Sequence, residues 1–513
     1  MIMAVNNTTI MDKPNSENSC TQPIQLDNAI EMVGFGKFQY YILFICGSLF
    51  VMFAVSVTSV SFILPSAQCD FDMTSTHKGL LNGASMVGMF TGSFIWGYLA
   101  DSKGRRYTLI VSTMMDGLFS LVSGMSQAYP LFLFCRFMSG FGVSGVTVLY
   151  SYLGEFVNAK YREKFLCWME MFWTAGIIIL PCVAWLVIPQ TFKIEYDYFL
   201  FKSWNLFVIV CSVPSIVLAC LLMQMPESPK FLLNKGRHDE TIECLKVVYA
   251  WNNKTGLDQF PISSLEMSGY VEQEKTGFLK GLWASTRGLF TSQYKVIAVI
   301  TCVIQFCATA SYYMLIMWFP ELMNRFRQYE TAAKPGSPRA NMCQIVSMFH
   351  SKSNDLTTEC TDTIDLSVYV NIVIIGFACI PTSLAVPMFV NKLGLRFFLV
   401  VSFMGSGIAA ACLYFITSSA QNLALSAVFE ALSSLGISLM YCICVELFPT
   451  EHRGMAVSIG GTFGKIGALL GNVVVGVYID AHCLIPIVVS GALLIISALL
   501  VLALPKTGRD NLK

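Results

Sequence analysis

Five ionisable side chains stand inside long apolar runs of the sequence. They are Asp116, Arg136, Glu170, Glu430 and Lys465. A charged group in a hydrocarbon interior costs roughly 2.5–3.5 kcal/mol on insertion scales, so it needs an opposite charge, water or a bound solute. Carboxyl, amino and guanidinium groups in such surroundings can form an ion pair, carry a proton or bind a polar solute. These residues are therefore the first candidates for a functional site.

Their positions along the runs predict two pairs. At about 1.5 Å per residue, Glu430 and Lys465 both fall near the middle of a membrane-crossing helix, and we expect them to pair or to line one polar cavity. Arg136 is expected within reach of Asp116 on the preceding antiparallel helix. A purely structural ion pair is the alternative in each case. Glu170 lies about one helical turn from the cytosolic end of its run, where we expect water to reach it.

A second set of candidates surrounds a short polar loop, GYLADSKGRRYTL. Asp101 ends an apolar run, and the negative end of a helix dipole disfavours an anion there. It therefore needs compensation, which Arg105 or Arg106 can supply. The alternative is a basic loop that only sets membrane topology, but such a loop does not require an acid and glycines at fixed spacing.

The same pattern recurs in the second half of the chain, which predicts two related six-helix units. They run parallel in the membrane because six is even, as in carriers that rock one half against the other around a midplane site. The aligned pairs are Asp101 with Asn391, Gly104 with Gly394, Arg106 with Arg396, Glu155 with Glu446, and Arg162 with Arg453.

The composition of the 513 residues indicates a membrane protein, because 55% are hydrophobic and only 13% are charged. Soluble domains carry about 25% charged residues. A formal charge of +1 argues against a nucleic-acid binder, which needs a basic surface.

Most of the 18 cysteines lie in apolar runs, where they act as small hydrophobic residues. Cys442 and Cys444 have no matching second pair, so no metal site is predicted. No cofactor motif or catalytic triad is found, and we predict that the chain is not an enzyme.

A membrane helix needs about 20 apolar residues, and the sequence contains twelve such runs. It predicts an all-α membrane protein of two pseudo-twofold six-helix bundles. The runs are 40–64, 78–100, 107–126, 131–154, 166–188, 204–224, 295–320, 368–391, 396–417, 421–446, 455–479 and 484–504. The resulting divisions are a structureless cytosolic tail 1–39, a bundle 40–224, a cytosolic linker 225–294 with short helices, a bundle 295–504 containing the external loop 321–367, and a cytosolic tail 505–513.

Basic residues set the orientation of this multi-pass protein in a vesicle or plasma membrane. Their excess on the side of both termini places the termini in the cytosol. In the external loop, a disulfide between Cys343 and Cys360 is a candidate, with two free thiols as the alternative. In the linker, Ser228 can cap a short helix that starts at Pro229 and ends at Gly236.

Several strings make the chain resemble a known family. GYLADSKGRRYTL resembles the loop motif of the major facilitator superfamily. RFMSGFGVSG, PESPK and ELFPTEHRG are typical of its group of organic-ion carriers, sugar porters and synaptic vesicle proteins, and LPSAQCDF, YSYLGEF and SYYMLIMWFP are similar to the synaptic vesicle glycoprotein 2 family. The resemblance implies that Asp101 faces the other half while the cytosolic side is closed and that Glu155 pairs with an arginine of the loop. The implied conformational gate comprises Asp101, Gly104, Arg105, Arg106, Glu155, Arg162, Glu446 and Arg453.

The chain also departs from that family. Phe53, Ser56 and Tyr441 stand where relatives have acidic residues in the first and tenth helices. The run beginning at Gln305 does not match the Gln-Gln-x-Ser-Gly run of sugar porters, which disfavours a sugar.

The resemblance also implies where a solute binds, since the superfamily lines its central cavity with helices 4, 5, 7 and 10. Aromatic residues on these helices suit an organic cation or another amphipathic solute. Near the ends of spans, Trp168 and Trp318 are instead typical interface anchors. The candidates for the cavity and for coupling are Arg136, Glu170, Tyr312, Tyr313, Glu430, Tyr441 and Lys465.

Glycines four residues apart in the second and eleventh spans permit close approach of membrane helices. In the superfamily these two helices meet at the moving seam, although static packing explains the spacing equally well. The glycines are Gly79, Gly83, Gly88, Gly92, Gly460, Gly464, Gly467 and Gly471.

The sequence thus favours a monomeric secondary-active or facilitative carrier of a small organic solute, with an organic ion favoured, working by alternating access. Glu170 and Glu430 motivate a coupling proton as a further hypothesis. The alternative is a non-transporting membrane receptor or vesicle-trafficking protein, which the missing acids of helices 1 and 10 favour. The gate motif and the buried charges favour transport.

Overall fold

The structure is a computed structural model that describes residues 24–190, 192–196, 199–262, 265, 294–332, 341–345, 364–448 and 450–505. Helices cover all twelve predicted spans, which confirms the predicted fold class. Ten of these helices are long and apolar enough to cross a membrane within the described residues. The other two, at Ser75–Ser102 and Arg105–Ser123, carry polar and charged residues along their length.

Among the described residues, the first half contains eight α-helices. They are α1 (Leu26–Val33), α2 (Lys37–Ser66), α3 (Ser75–Ser102), α4 (Arg105–Ser123), α5 (Tyr129–Val143), α6 (Val148–Glu155), α7 (Ala159–Val187) and α8 (Ser203–Leu222). A short 3-10 turn, Ser144–Thr147, joins α5 to α6, so the two form one span.

The linker between the halves contributes α9 (Pro229–Asn234) and α10 (His238–Asn253). We name the two membrane faces by the orientation that the sequence predicts, with this linker on the cytosolic face. The second half follows with α11 (Lys295–Ile316), α12 (Phe319–Ala332), α13 (Leu366–Leu393), α14 (Leu395–Cys412), α15 (Ser419–Leu447), α16 (Thr450–Tyr478) and α17 (Leu484–Ala503). Outside, a two-stranded antiparallel hairpin, β1 (Lys193–Tyr196) and β2 (Phe199–Lys202), departs from the all-helical prediction.

The N-terminal tail is structured where it is described, so the prediction of a structureless tail is wrong for its last part. Helix α1 packs against α10 and buries Ala29, Ile30 and Val33. The Asn252 side chain of α10 accepts a hydrogen bond from the Phe38 amide at 3.0 Å. This contact anchors the start of α2 on the cytosolic linker. Residues 1–23 lie outside the described residues.

The short helix of the linker begins as its local sequence predicts. Ser228 Oγ accepts a hydrogen bond from the Phe231 amide at 3.2 Å, and Pro229 occupies the first helical position. Gly236, just past the end of α9, has a φ of +71°, which favours glycine. Local capping chemistry was sufficient to predict this element.

The two halves meet where α3 packs against α16 and α7 against α13. A Cβ atom on Gly79 of α3 would lie 2.8 Å from the Gly476 Cα atom, so this pair of glycines permits close approach of the two backbones. Gly467 and Gly471 instead pack against α11 within the second half, and Gly88 packs against α5. Only part of the predicted glycine set therefore lies at the seam.

The internal repeat is visible in two equivalent arginines. Arg106 Nε donates a hydrogen bond to the Leu222 carbonyl oxygen at the end of α8 at 3.2 Å, and Arg396 donates to the Leu502 carbonyl oxygen near the end of α17. Each arginine stabilises the C-terminal end of the last helix of its own half, where a cation is favourable. This repeated contact supports the predicted duplication.

Candidate functional site

A buried carboxyl group lies at the centre of the second half, and only one of its two oxygen atoms has a hydrogen-bond partner. Tyr312 of α11 donates a hydrogen bond from its hydroxyl to Glu430 Oε1 of α15 at 2.8 Å. Both residues are buried. Glu430 Oε2 has no hydrogen-bond partner. A buried acceptor without a partner is energetically unfavourable, so this oxygen requires a proton, water or a bound solute.

Glu170 approaches this group from the first half. Its carboxyl group lies beside the Ser438 hydroxyl of α15 and within electrostatic range of Glu430. Helix α7 begins at Ala159, so Glu170 is roughly 16 Å along the helix axis from its start. The part of α7 that is apolar enough to cross a membrane begins only at Trp168, two residues before Glu170, so a position near the cytosolic end of the span stays the prediction for Glu170.

Aromatic side chains complete the cluster. The rings of Tyr312 and Tyr313 meet edge to face with centroids 5.1 Å apart. Tyr313 is within electrostatic range of Glu170, Glu430 and Tyr441. Tyr441 is 42% exposed, so this side of the cluster is accessible. The structure thus brings five predicted cavity residues together, and we call them the central cluster: Glu170, Tyr312, Tyr313, Glu430 and Tyr441.

Lys465 does not join the central cluster. Its amino group contacts the Ser93 hydroxyl of α3 across the boundary between the halves. Within the described residues, Lys465 and Glu430 form no ion pair, so the predicted pair is wrong. The two residues have similar depths, but Lys465 faces α3 whereas Glu430 faces α11.

A second buried polar cluster lies entirely in the first half. Asp116 Oδ1 accepts hydrogen bonds from Ser56 and Ser139 at 2.7 Å each. Arg136 Nη1 donates to Ser59 Oγ at 3.4 Å, and its Nε and Nη2 have no partner. Arg136 and Asp116 line one cavity with room for about one water molecule, but they form no direct ion pair. Sequence reasoning placed the two charges near each other and missed the serines that separate them.

The gate motif forms contacts on the cytosolic side. Arg105 Nε lies 3.5 Å from Glu155 Oε1, the pairing that the family resemblance implies. Arg105 Nη2 lies 3.4 Å from Asp101 Oδ1, and the Asp101 side chain is 79% exposed. The side chains of three further gate candidates, Arg162, Glu446 and Arg453, lie outside the part that the structure describes.

Glu227 contacts the predicted gate residues, and sequence reasoning missed it. Its Oε1 atom accepts hydrogen bonds from the Arg106 amide at 3.0 Å and the Ser228 amide at 2.9 Å. Ser228 in turn donates to Glu155. Gly104 has a φ of +112°, and a Cβ atom there would meet Glu227 Oε2 at 2.3 Å. The PESPK string that contains Glu227 was the available signal.

An ion network joins the halves on the external side. Lys78 Nζ lies 2.7 Å from Glu321 Oε1, Arg325 lies 2.9 Å from the same oxygen, and Arg325 Nη1 lies 2.8 Å from Asp480. It connects α3 with α12 and with the turn after α16. Sequence reasoning missed the network because it assigned Glu321 and Arg325 to the external loop and not to a helix.

The external disulfide differs from the predicted one. Cys343 is bonded to Cys483, with Cα atoms 5.3 Å apart. Met342 and Ile345 are buried, and Met342 packs beside Cys483 between α16 and α17. This packing selects the partner of Cys343, so the predicted bond to Cys360 is wrong. Cys360 itself lies outside the described residues.

Comparisons with known proteins agree with the fold. A sequence model described as "Sugar (and other) transporter" matches residues 30–331, and one described as "Major Facilitator Superfamily" matches residues 354–513. Synaptic vesicle glycoprotein 2B of Mus musculus is 26% identical, covering 94% of this chain and 86% of the relative. Synaptic vesicle glycoprotein 2A of Rattus norvegicus is 32% identical, covering 60% of this chain and 45% of the relative.

Solved transporter structures share the fold at low sequence identity. A partially occluded, inward-open xylose transporter from E. coli has a TM-score of 0.65 at 14% identity, covering 92% of this chain and 100% of that chain. A D-xylose-proton symporter has a TM-score of 0.63 at 14% identity, covering 92% and 99%. The chain is an integral multi-pass membrane protein and belongs to the sugar (and other) transporter family of the major facilitator superfamily.

Proposed function

We propose that this protein is a secondary-active or facilitative carrier of a small organic solute, with an organic ion favoured, and that it works by alternating access. The observation that carries the proposal is the buried carboxyl group of Glu430 in the second half, whose Oε2 atom has no hydrogen-bond partner, with Glu170 of the first half within electrostatic range. A polar site shared by two halves at membrane depth is what a rocking carrier requires.

The contacts at the two membrane faces support the same proposal. The external network of Lys78, Glu321 and Arg325 joins the halves, while Asp101 on the cytosolic side is exposed and pairs only with Arg105 among the described residues. This combination is expected of a carrier closed to the outside. Pairing of the gate residues would then bias the equilibrium toward the opposite state.

Uptake into proteoliposomes that contain the full chain tests the proposal. The panel should contain organic cations, organic anions, sugars and nucleotides. We expect saturable uptake of one class, reduced in Arg136→Ala and Lys465→Ala and retained in Glu240→Gln. Glu240 lies on the cytosolic α10, half exposed and paired with Arg237, so it is a matched carboxylate outside the membrane.

A coupling proton is part of the proposal. Glu170 and Glu430 form no ion pair with a basic residue in the described part of the chain, so a proton is an available means of neutralising the empty site. Uptake should then depend on a pH gradient. Uptake that is unchanged by a protonophore would contradict the proposed proton coupling but would not contradict the carrier proposal.

A non-transporting receptor or vesicle-trafficking protein is the second candidate. Phe53, Ser56 and Tyr441 replace acids that relatives carry in the first and tenth helices, and this favours loss of transport. Failure of every solute in the panel, together with retained binding of a protein partner, would support this candidate.

We further propose that both termini are cytosolic, that the chain is a monomer, and that it resides in a vesicle or plasma membrane. Epitope tags at the two termini should react with antibodies only after permeabilisation of intact cells. Light scattering of the purified protein should give the mass of one chain.

A further inference from the structure

We infer that the external hairpin is a membrane-binding element, whose apolar face lies in the interfacial layer of the lipid bilayer. The hairpin consists of β1 (Lys193–Tyr196) and β2 (Phe199–Lys202), which are antiparallel. Neither the predicted gate nor the central cluster includes any part of it. The inference concerns the partner of this surface, phospholipid, and does not depend on which solute the protein carries.

One face of the hairpin carries only apolar and aromatic side chains. Residues that are paired directly across an antiparallel ladder lie on the same face, and successive residues along a strand alternate between faces. Ile194 pairs with Phe201, and Tyr196 pairs with Phe199. The Phe199 and Phe201 rings stack with centroids 6.2 Å apart, and the Phe192 ring lies at the same distance from Phe201. We call these five residues the aromatic face.

The opposite face is mostly charged and is held by the protein. Lys193 pairs with Lys202 across the ladder, and Glu195 pairs with Leu200. From this face, Lys202 Nζ reaches Asp70 Oδ1 in the connection between α2 and α3, at 2.6 Å. The aromatic face therefore points away from this ion pair.

The outer edge of β2 is fixed as well. Gln127, between α4 and α5, donates a hydrogen bond from Nε2 to the Leu200 carbonyl oxygen at 3.1 Å and accepts one from the Leu200 amide at 2.9 Å. This contact places β2 against the first half and β1 on its outer side. All four residues of β1 are exposed, with Ile194 at 49% and Tyr196 at 72%. The most exposed part of the aromatic face thus lies on the strand farther from Gln127.

The base of the hairpin lies at the ends of two membrane spans. Helix α7 ends at Val187, and α8 begins at Ser203, directly after β2. The Ser203 hydroxyl donates a hydrogen bond to the Ile188 carbonyl oxygen at 2.7 Å, which holds the two ends together. In the last turn of α7, Trp185 and Leu186 are 44% and 67% exposed on a helix that is apolar enough to cross a membrane. An apolar surface therefore continues along the chain from this helix to the hairpin.

Lipid is the partner that these features favour. Aromatic side chains concentrate at the boundary between headgroups and acyl chains, where tyrosine can keep its hydroxyl group in water. A strand of four residues is about 13 Å long. The polar layer on each side of a bilayer is roughly 5–8 Å thick. A hairpin that lies along the membrane surface therefore keeps its whole aromatic face at this boundary, as amphipathic surface elements do.

Membrane binding would anchor the first half of the protein. The hairpin is joined to the connection between α2 and α3 through Asp70, and to the connection between α4 and α5 through Gln127. Both connections belong to the first half. On the proposed carrier function, the second half then moves against a half that is held at a fixed depth in the bilayer.

A tryptophan introduced on each face tests the inference in phosphatidylcholine nanodiscs, which leave both membrane surfaces accessible to added ions. Tyr196→Trp probes the aromatic face. Glu195→Trp is the matched control, because Glu195 is the neighbouring residue on the opposite face and its side chain is 66% exposed. Subtracting the spectrum of the unmodified chain removes the emission of its 8 tryptophans. Thermal unfolding shows whether the variants are folded, and Ile194→Trp replaces Tyr196→Trp if that variant is not.

The expected result is a contrast between two quenchers. Phosphatidylcholine with a nitroxide on the upper part of its acyl chain should reduce the added emission of Tyr196→Trp by about twofold or more, because the ring lies at the acyl boundary. Iodide in the water should quench the added emission of Glu195→Trp more strongly than that of Tyr196→Trp.

Two other results would overturn the inference. If iodide quenches both added tryptophans equally and the nitroxide lipid quenches neither, the aromatic face lies in water. If the tryptophan at position 196 is shielded from both quenchers, protein covers the face, either a second copy of the chain or another part of the same one. Neither result would bear on the carrier proposal, which the uptake experiment tests separately.

Discussion

Lys78 of α3 and Glu321 of α12 form a buried ion pair, 2.7 Å from Nζ to Oε1, across the external boundary between the two halves. Arg325 shares the same carboxylate and extends the pair to Asp480. Carriers of this architecture must break such a contact to open toward the outside. On the proposed carrier function, the pair therefore contributes to both the stability and the conformational equilibrium of the protein.

Glu321→Gln should lower the Tm of the purified protein, because it leaves the Lys78 ammonium group buried without its carboxylate. Breaking a buried pair costs about 3–5 kcal/mol, whereas replacing both partners by apolar residues costs less. The double variant Lys78→Met/Glu321→Met should therefore have a higher Tm than Glu321→Gln. Glu195→Gln on the exposed hairpin is the control and should leave the Tm unchanged. Equal losses in the single and double variants would contradict this account.

Cys483→Ser should lower the Tm by removing the bond to Cys343, which closes a separation of 140 residues. Disulfides typically stabilise by about 2–4 kcal/mol. Cys46→Ser is a suitable control, because Cys46 is a free buried thiol. Mass spectrometry of peptides from the unreduced protein should find Cys343 linked to Cys483. A peptide that links Cys343 to another cysteine would show that the assignment is wrong.

Asp116→Ala should destabilise the first half more than Asp116→Asn. The alanine leaves the hydroxyl groups of Ser56 and Ser139 without an acceptor, whereas the asparagine keeps one carbonyl oxygen. Both changes also remove the negative charge beside Arg136. Adding Arg136→Met to Asp116→Asn should recover part of the loss in Tm. If the double variant is less stable than Asp116→Asn, electrostatic coupling of the two residues is not the cause.

Gly104→Ala should reduce uptake and lower the Tm. A side chain at φ +112° is strained, by about 1–3 kcal/mol, and its Cβ atom would meet Glu227 Oε2. The matched control is Gly97→Ala on the neighbouring α3, because a Cβ atom at Gly97 has nothing within 4 Å. We expect Gly97→Ala to retain both properties. A Gly104→Ala variant with unchanged uptake would show that the gate tolerates displacement of Glu227.

The sequence by itself determined the spans, the duplication and the local caps. Runs of about 20 apolar residues define membrane helices whatever their neighbours are. Ser228, Pro229 and Gly236 act on backbone groups within a few residues, so their roles are readable from the sequence. The gate motif was found because its acid, glycine and arginines stand close together in the sequence, resemble a family motif and recur in part in the second half.

Only the tertiary structure decided which distant residues meet. Lys78 meets Glu321, Cys343 meets Cys483, and Glu170 meets Ser438 because of how whole helices rotate and pack. Lipid is as apolar as a protein interior, so hydropathy does not distinguish the face of a membrane helix that packs from the face that contacts lipid. For the same reason, the predicted pair of Glu430 and Lys465 was based on their similar depth alone. The rotation of their helices instead directs Glu430 to Tyr312 and Lys465 to Ser93.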